Sequence, residues 1–388
     1  MKLSTRLFSL LLALVMMLAL TSCTPSSDAE VTPSPTPSTG TGDEYVADTS
    51  VEDLCLAITG LPSDFELFTV NGRSVTALFY LYWVGYGISY FDSMGVTLDF
   101  SGDPELCQYL KDDSLNAATQ YILVAEKAKE HNLSLTQKQI DELDKNIASV
   151  KTTLGGEEAF QRELFRSCLD YESFYFINSC PYYYTLLEDA LFADRPNDDD
   201  LATFIADNDI LSAKHILLMT VDADTREPLD EATVAGKKAS AEGILAELQS
   251  STDLETDFDR LMNEHSEDTG LTYYPDGYIF TAGEMVSEFE EATRALEYGE
   301  ISGLVESSFG YHIILRQAPD NEEIRAEARA SLLNAQMDAW FSEAVTVTTE
   351  EYEQLDMTVC YQRYMAYQAA FEAERAAEKE AAEGETAD

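Results

Sequence analysis

Basic side chains are scarce in this chain of 388 residues: 24 lysines and arginines stand against 72 aspartates and glutamates, a formal charge of −48. Binding a nucleic-acid backbone needs clustered Lys and Arg that release counterions, so that class of partner is excluded. A surface of this sign keeps the chain soluble, repels anionic headgroups and suits basic or neutral polypeptides. Histidine is scarcer still, at four, and no H-E-x-x-H, G-x-S-x-G or phosphate-loop pattern occurs, which argues against hydrolase and transferase chemistry. The six cysteines contain no C-x-x-C pair, so no zinc site, other metal or redox motif is expected. Outside the leader, Cys55, Cys107, Cys168, Cys180 and Cys360 form an odd set. Spacing leaves open a disulfide, for instance Cys168 with Cys180, or buried free thiols. What the chain does have is apolar and aromatic substance, 45% and 11%, enough to bury the cores of two domains.

The N-terminus reads as a leader: basic Lys2 and Arg6, an apolar stretch from Leu7 to Leu20, then Leu20-Thr21-Ser22-Cys23. That tetrapeptide is similar to the lipobox of bacterial lipoproteins. The resemblance implies a signal peptide over 1–22, cleavage before Cys23, and a diacylglyceryl group on its sulfur that holds the chain on the extracytoplasmic face of the cell membrane. Two acyl chains make a stable anchor where one is marginal. Residues 23–49, with Pro25, Pro33, Pro35 and Pro37, form a Ser/Thr/Pro spacer too polar to pack. Ser74 to Phe91 carries no formal charge, but Tyr80, Tyr82, Tyr86 and Tyr90 make it a buried core helix and not a second membrane span.

From Pro104 to Phe192 the spacing is helical. After Leu110, the residues Leu115, Ala118, Ile122, Ala125 and Ala128 recur at three- and four-residue intervals. Thr136-Gln137-Lys138-Gln139 fits a capping box that starts a second helix carrying Ile140, Leu143 and Ile147. Further helices are predicted over Glu158 to Leu169, around Tyr182 to Leu191, and over Asp198 to Asp207. The period then changes. Ala213 to Met219 reads as a buried strand, Glu231 to Leu248 and Phe258 to Glu264 as helices, Val286 to Leu296 as another, and Tyr311 to Arg316 as a closing strand. Strand, helices and strand within about a hundred residues indicate a compact α+β domain. Helix returns from Asn321, and the Ala/Glu-rich end is expected to be a frayed helix or disorder.

Two of the histidines sit in the bracketing strands, in Ala213-Lys214-His215-Ile216-Leu217 and Gly310-Tyr311-His312-Ile313-Ile314. With Phe258-Asp259-Arg260-Leu261, Ser266-Glu267-Asp268, Gly283-Glu284-Met285-Val286 and Gly299-Glu300-Ile301-Ser302 between them, the stretch from Ser212 to Gln317 resembles the parvulin-type peptidyl-prolyl isomerases. The resemblance implies paired core histidines at His215 and His312, the family's Cys-or-Asp position at Asp268, its hydroxyl position at Ser307, and an apolar proline pocket at Met285 and Phe289. The loop Pro275-Asp276-Gly277-Tyr278-Ile279-Phe280 departs from the usual G-G-D-L-G-x-F, so the pocket leucine has no clear equivalent, Gly277 or Tyr278 stands near its place, and Tyr278 and Phe280 join the implied substrate-binding residues. No cofactor is called for.

The order of leader, spacer, helices, isomerase-like domain and returning helices resembles the foldase lipoproteins of the PrsA type. It implies a parvulin domain, a small antiparallel sheet with surrounding helices, inserted in an all-α chaperone domain. The expected division is 50–209 and 321–367 for the helical parts, 212–317 for the isomerase and 368–388 for an acidic tail. The implied partners are unfolded exported polypeptides with X-Pro bonds. Two function classes stay open: a catalytic foldase, and a non-catalytic holdase or surface scaffold whose parvulin fold only binds. The apolar stripe of Ile324, Ala328, Leu332 and Trp340 must find a partner, for which the helices before Ser212 are the nearest candidates.

Overall fold

The computed structural model describes residues 45–95 and 104–385, with side chains as far as 379. The leader, Cys23 and the spacer up to residue 44 lie outside the described residues. The chain divides into two compact units, one made of the segments up to Ala193 and from Leu333 onward, the other of Asp194–Leu332.

The first unit begins with α1 (Leu54–Thr59) and the hairpin β1 (Glu66–Val70) and β2 (Arg73–Thr76). Its turn residues Asn71 and Gly72 both have positive φ, which suits a tight hairpin because the backbone twist then matches that of the strands. Ser74 to Thr76 are therefore strand, and the tyrosine-rich helix α2 starts at Ala77 and ends at Ser93, capped by the Thr76 hydroxyl. There follow α3 (Pro104–Glu130), α4 (Gln137–Thr153), α5 (Glu157–Arg166) and α6 (Tyr171–Leu191). The capping box at Thr136 forms with both of its hydrogen bonds. The predicted break before Tyr182 does not occur. The Asp170 carboxylate accepts from Ser173 N–H at 2.6 Å and starts the helix early, and buried Phe174, Ile177 and Cys180 carry it through Pro181.

The second unit holds α7 (Asp198–Asp207), β3 (Leu211–Met219), α8 (Glu231–Gln249), α9 (Leu254–His265), a 3-10 turn at Thr269–Thr272, β4 (Tyr278–Phe280), α10 (Ser287–Ala295), β5 (Val305–Glu306) and β6 (Gly310–Gln317). Its sheet is antiparallel throughout, in the order β4-β3-β6-β5. Strands alternate their side chains between two faces. Ile216, Leu218, Tyr311, Ile313 and Leu315 pack on Ile244 and Leu248 of α8 and Phe258, Leu261 and Met262 of α9. The opposite face carries Leu211, Ala213 and Ile314 against Phe280 and Phe289. Both faces are covered, which explains why β3 is almost wholly buried.

The chain returns through α11 (Glu322–Glu343), β7 (Thr346–Thr348), α12 (Glu350–Glu353) and α13 (Met357–Glu385). Ile324 and Ala328, at the start of α11, join Leu201 and Ile210 in a cluster of the second unit, so α7 belongs there and not with the earlier helices. Farther along, Trp340 receives Lys127 Nζ of α3 at 5.4 Å from its ring. β7 pairs with β1, so the helical unit also contains a three-stranded antiparallel sheet, β2-β1-β7. Of the acidic tail set at 368–388, the described part, up to Glu385, is instead a continuation of α13. Phe371 is buried, Glu374 bonds to Arg166 at 2.9 Å, and Arg375 bonds to Glu163 at 2.7 Å. All five described cysteines are free thiols, Cys168 and Cys180 included.

Candidate functional site

The register of β3 and β6 brings the two histidines together. His215 lies opposite Ile314, and His312 lies opposite Leu217. The pair is thus diagonal on one face of the sheet, within reach of ring-to-ring contact. Their rings are nearly parallel, with centroids 5.3 Å apart, and the two Nδ1 atoms are 3.1 Å apart. Gly310 sets this register. Its φ of +147° is open only to glycine, and a Cβ there would stand 2.2 Å from the Leu218 carbonyl oxygen.

Hydrogen bonds extend from the pair in both directions. His215 Nε2 is 2.8 Å from Asp268 Oδ2, and His312 Nε2 is 2.7 Å from Ser307 Oγ. Tyr278 donates its hydroxyl to the same Asp268 oxygen at 2.6 Å, while Gly270 N–H donates to the other at 2.9 Å. Ser307 Oγ in turn accepts from Phe309 N–H at 3.1 Å. A Cβ at position 270 would strike the Tyr278 hydroxyl, so the turn after Asp268 depends on that glycine.

Electrostatics fix the direction of the bond at the Asp268 end of this chain. Burial by itself would raise the Asp268 carboxyl, but hydrogen bonds from His215, Tyr278 and Gly270 outweigh it and hold the group at about 2. An ionised carboxylate only accepts, so His215 Nε2 carries the proton that faces it. His215 Nδ1 and His312 Nδ1 share the next hydrogen bond, and His312 Nε2 shares one with the Ser307 hydroxyl. Burial, reinforced by the neighbouring His215, pushes His312 down to about 3, so it stays neutral near pH 7. Tyr278, raised by burial and by the Asp268 charge beside it, remains a protonated donor. No group here is an activated nucleophile.

The apolar neighbours divide by exposure. Phe289 and Phe280 are buried, with ring centroids 5.8 Å apart, and Phe289 stands edge-on to His215 at 5.2 Å and to His312 at 5.6 Å. Met285 and Tyr278 are only half-buried and border the same cluster. The two phenylalanines therefore form a floor, and Met285 and Tyr278 the reachable wall. Tyr274 stacks on Tyr278 at 5.0 Å and, like Tyr273, is exposed. Sequence placed Tyr278 near the pocket but carried no sign of its bond to Asp268. That bond depends on a turn whose backbone bends the loop back on itself.

The rotamase family, described as PPIC-type PPIASE domain, matches residues 215–318. Foldase protein PrsA of Oceanobacillus iheyensis is 30% identical over 246 residues, covering 60% of this chain and 73% of that protein. Chaperone SurA of Nitrosospira multiformis is 32% identical over 155 residues, covering 39% of this chain and 32% of its own length, so the chain spans about a third of that relative. Among solved structures, peptidylprolyl isomerase (PrsA) from Bacillus cereus is 21% identical and matches 66% of this chain and 95% of its own, with a TM-score of 0.29.

Proposed function

The chain belongs to the PrsA foldase family, and from that premise we propose that His215, Asp268, Ser307 and His312 are the catalytic hydrogen-bond chain of its isomerase unit, with Met285, Phe289, Tyr278 and Phe280 seating the proline ring. The protein is a peptidyl-prolyl cis-trans isomerase and chaperone that assists exported proteins outside the cytoplasm. The observation that carries the residue assignment is the unbroken run Ser307–His312–His215–Asp268–Tyr278 laid along an apolar wall.

The reaction rotates an X-Pro amide whose partial double bond imposes a barrier of about 20 kcal/mol. Catalysis requires only that the twisted amide be held more tightly than either planar form. Met285 and the Phe289 floor grip the pyrrolidine ring, which leaves the preceding carbonyl free to turn. The polar chain offers fixed dipoles to the twisting amide without a charged base or a covalent intermediate, in keeping with a neutral His312 and a Ser307 hydroxyl committed to it.

The test is the isomerisation of X-Pro peptides by the full chain. Met285→Ala should lower kcat/KM about tenfold or more with unchanged thermal unfolding, because the side chain is at the surface of its cluster. An unchanged kcat/KM would remove Met285 from the seat. No acceleration by the folded wild-type protein would leave only binding.

We also infer that Cys23 is lipidated and tethers the protein to the outer face of the membrane, since the apolar leader ends in Leu20-Thr21-Ser22-Cys23. Among the described residues no helix is long and apolar enough to cross a membrane. Cys23→Ala should release the protein from the membrane fraction or leave it unprocessed, and full retention with normal cleavage would defeat the proposal.

A further inference from the structure

A groove of about 700 Å³ opens in the first unit, between the start of β2, the end of α3 and the exposed side of α6. Its aromatic lining is Tyr171, Tyr175, Phe176 and Tyr183, a row set on α6 at near-helical intervals. Its charged lining is Arg73 and Lys129, with Glu172 the single acid. Two cations to one acid is the reverse of the ratio in the whole chain, where acids outnumber bases threefold.

Both cations are exposed. Among the described residues neither Arg73 nor Lys129 forms an ion pair. Arg73 lies over the Phe176 ring instead, 5.0 Å from its centre. A guanidinium held flat on an aromatic ring keeps its N–H edge available to a carboxylate, which it can bind with two parallel hydrogen bonds. Tyrosines supply broad, amphipathic contact area at small cost in conformational entropy.

We propose that this groove binds an extended polypeptide segment in which an aspartate or glutamate lies next to an aromatic or apolar side chain, with Arg73 and Lys129 taking the carboxylate and the tyrosine row the apolar neighbour. None of these residues belongs to the isomerase unit, so the proposal adds a second recognition site of defined chemistry. It also reverses the expectation from overall charge, under which acidic segments are repelled everywhere.

The test uses the full chain and two short fluorescent peptides that lack proline and share the same aromatic residues, one carrying two acids and the other two bases. Fluorescence anisotropy should show the acidic peptide bound about tenfold more tightly, as two half-exposed ion pairs can provide. The difference should fade at high salt. Arg73→Glu with Lys129→Glu should invert the preference, and Tyr175→Ala should weaken both peptides, while X-Pro isomerisation stays at the wild-type level. Equal affinities, or a preference untouched by the double reversal, would overturn the proposal. Stronger binding of a peptide copying residues 376–388 would overturn it in favour of occupation by the chain's own end. Dimerisation abolished by the same reversals would overturn it in favour of a second copy.

Discussion

The isomerase unit and the helical unit close their cores by opposite means. In the first, the decisive contacts run between strands that the sequence marks clearly, and His215 meets His312 through an ordinary antiparallel register. In the second, the core is closed by chain that returns from the far end. Tyr80 hydrogen-bonds the Lys111 carbonyl at 3.1 Å, its ring meets Tyr352 at 5.6 Å, and its hydroxyl reaches Met357, 277 positions away. One unit can be understood segment by segment, while the other has meaning only when both of its segments are present.

Removing those returning elements should have the largest effect. Truncation after Glu343 deletes β7, α12 and α13, and with them buried Tyr352, Tyr367 and Phe371. Losing a buried large aromatic costs about 3–5 kcal/mol, so three together, about 9–15 kcal/mol, are as large as the ~5–15 kcal/mol that holds a domain. Calorimetry should show the transition of the helical unit abolished and that of the isomerase unit kept. Survival of both transitions would mean the first segment folds alone.

Within the isomerase unit, Phe289→Ala should cost about 3–5 kcal/mol, because the ring is buried between both histidines and Phe280. Urea unfolding measures it, and a loss under 1 kcal/mol would contradict the floor described for the site. Met285→Ala, tested beside it, separates loss of grip from loss of fold.

Acid should distinguish the units next. His312 has its folded pKa lowered from 6.5 to about 3, so the folded state binds fewer protons there than the unfolded chain. Its contribution is complete above pH 6.5 and is lost as pH falls toward 3. At pH 5 the isomerase unit should be weaker by about 2 kcal/mol, and His312→Asn should flatten that dependence. Asp268, held at about 2, acts in the same direction over a lower window, with stability lost as pH falls through its folded value. Among the described residues the helical unit buries no histidine, so its unfolding should change less between pH 7 and 5. Parallel loss in both units would break the distinction.

The smallest effect belongs to a local signal in the helical unit. Thr136 caps α4 with a complete capping box, and Thr136→Ala should cost about 1 kcal/mol without altering isomerisation. A shift several times larger in thermal unfolding would show that Thr136 does more than cap.

Local rules were legible wherever neighbours in sequence settle the outcome: the capping box at Thr136, the acidic helix Asp198–Asp207, and the strands around His215 and His312. They misplaced the start of α6, set around Tyr182, because buried Phe174, Ile177 and Cys180 carry the helix through Pro181 from Tyr171. They also took the end of the chain for a loose tail, because an Ala/Glu helix looks unpartnered until Arg166 and Glu163 come beside it. β7 was invisible, since a three-residue strand has no period and exists only through its pairing with β1.

By itself the sequence determined the buried apolar strands and the acidic surface, since periodicity and composition act over a few residues at a time, and its family resemblance implied the pairing of His215 with His312. Only the tertiary structure decided that Tyr278 would donate to Asp268, that the cysteines would remain separate thiols, and that Arg73 would lie on Phe176 at the mouth of an aromatic groove. Each of these contacts depends on where a turn or a distant helix delivers a side chain, and such placement follows from packing the whole unit.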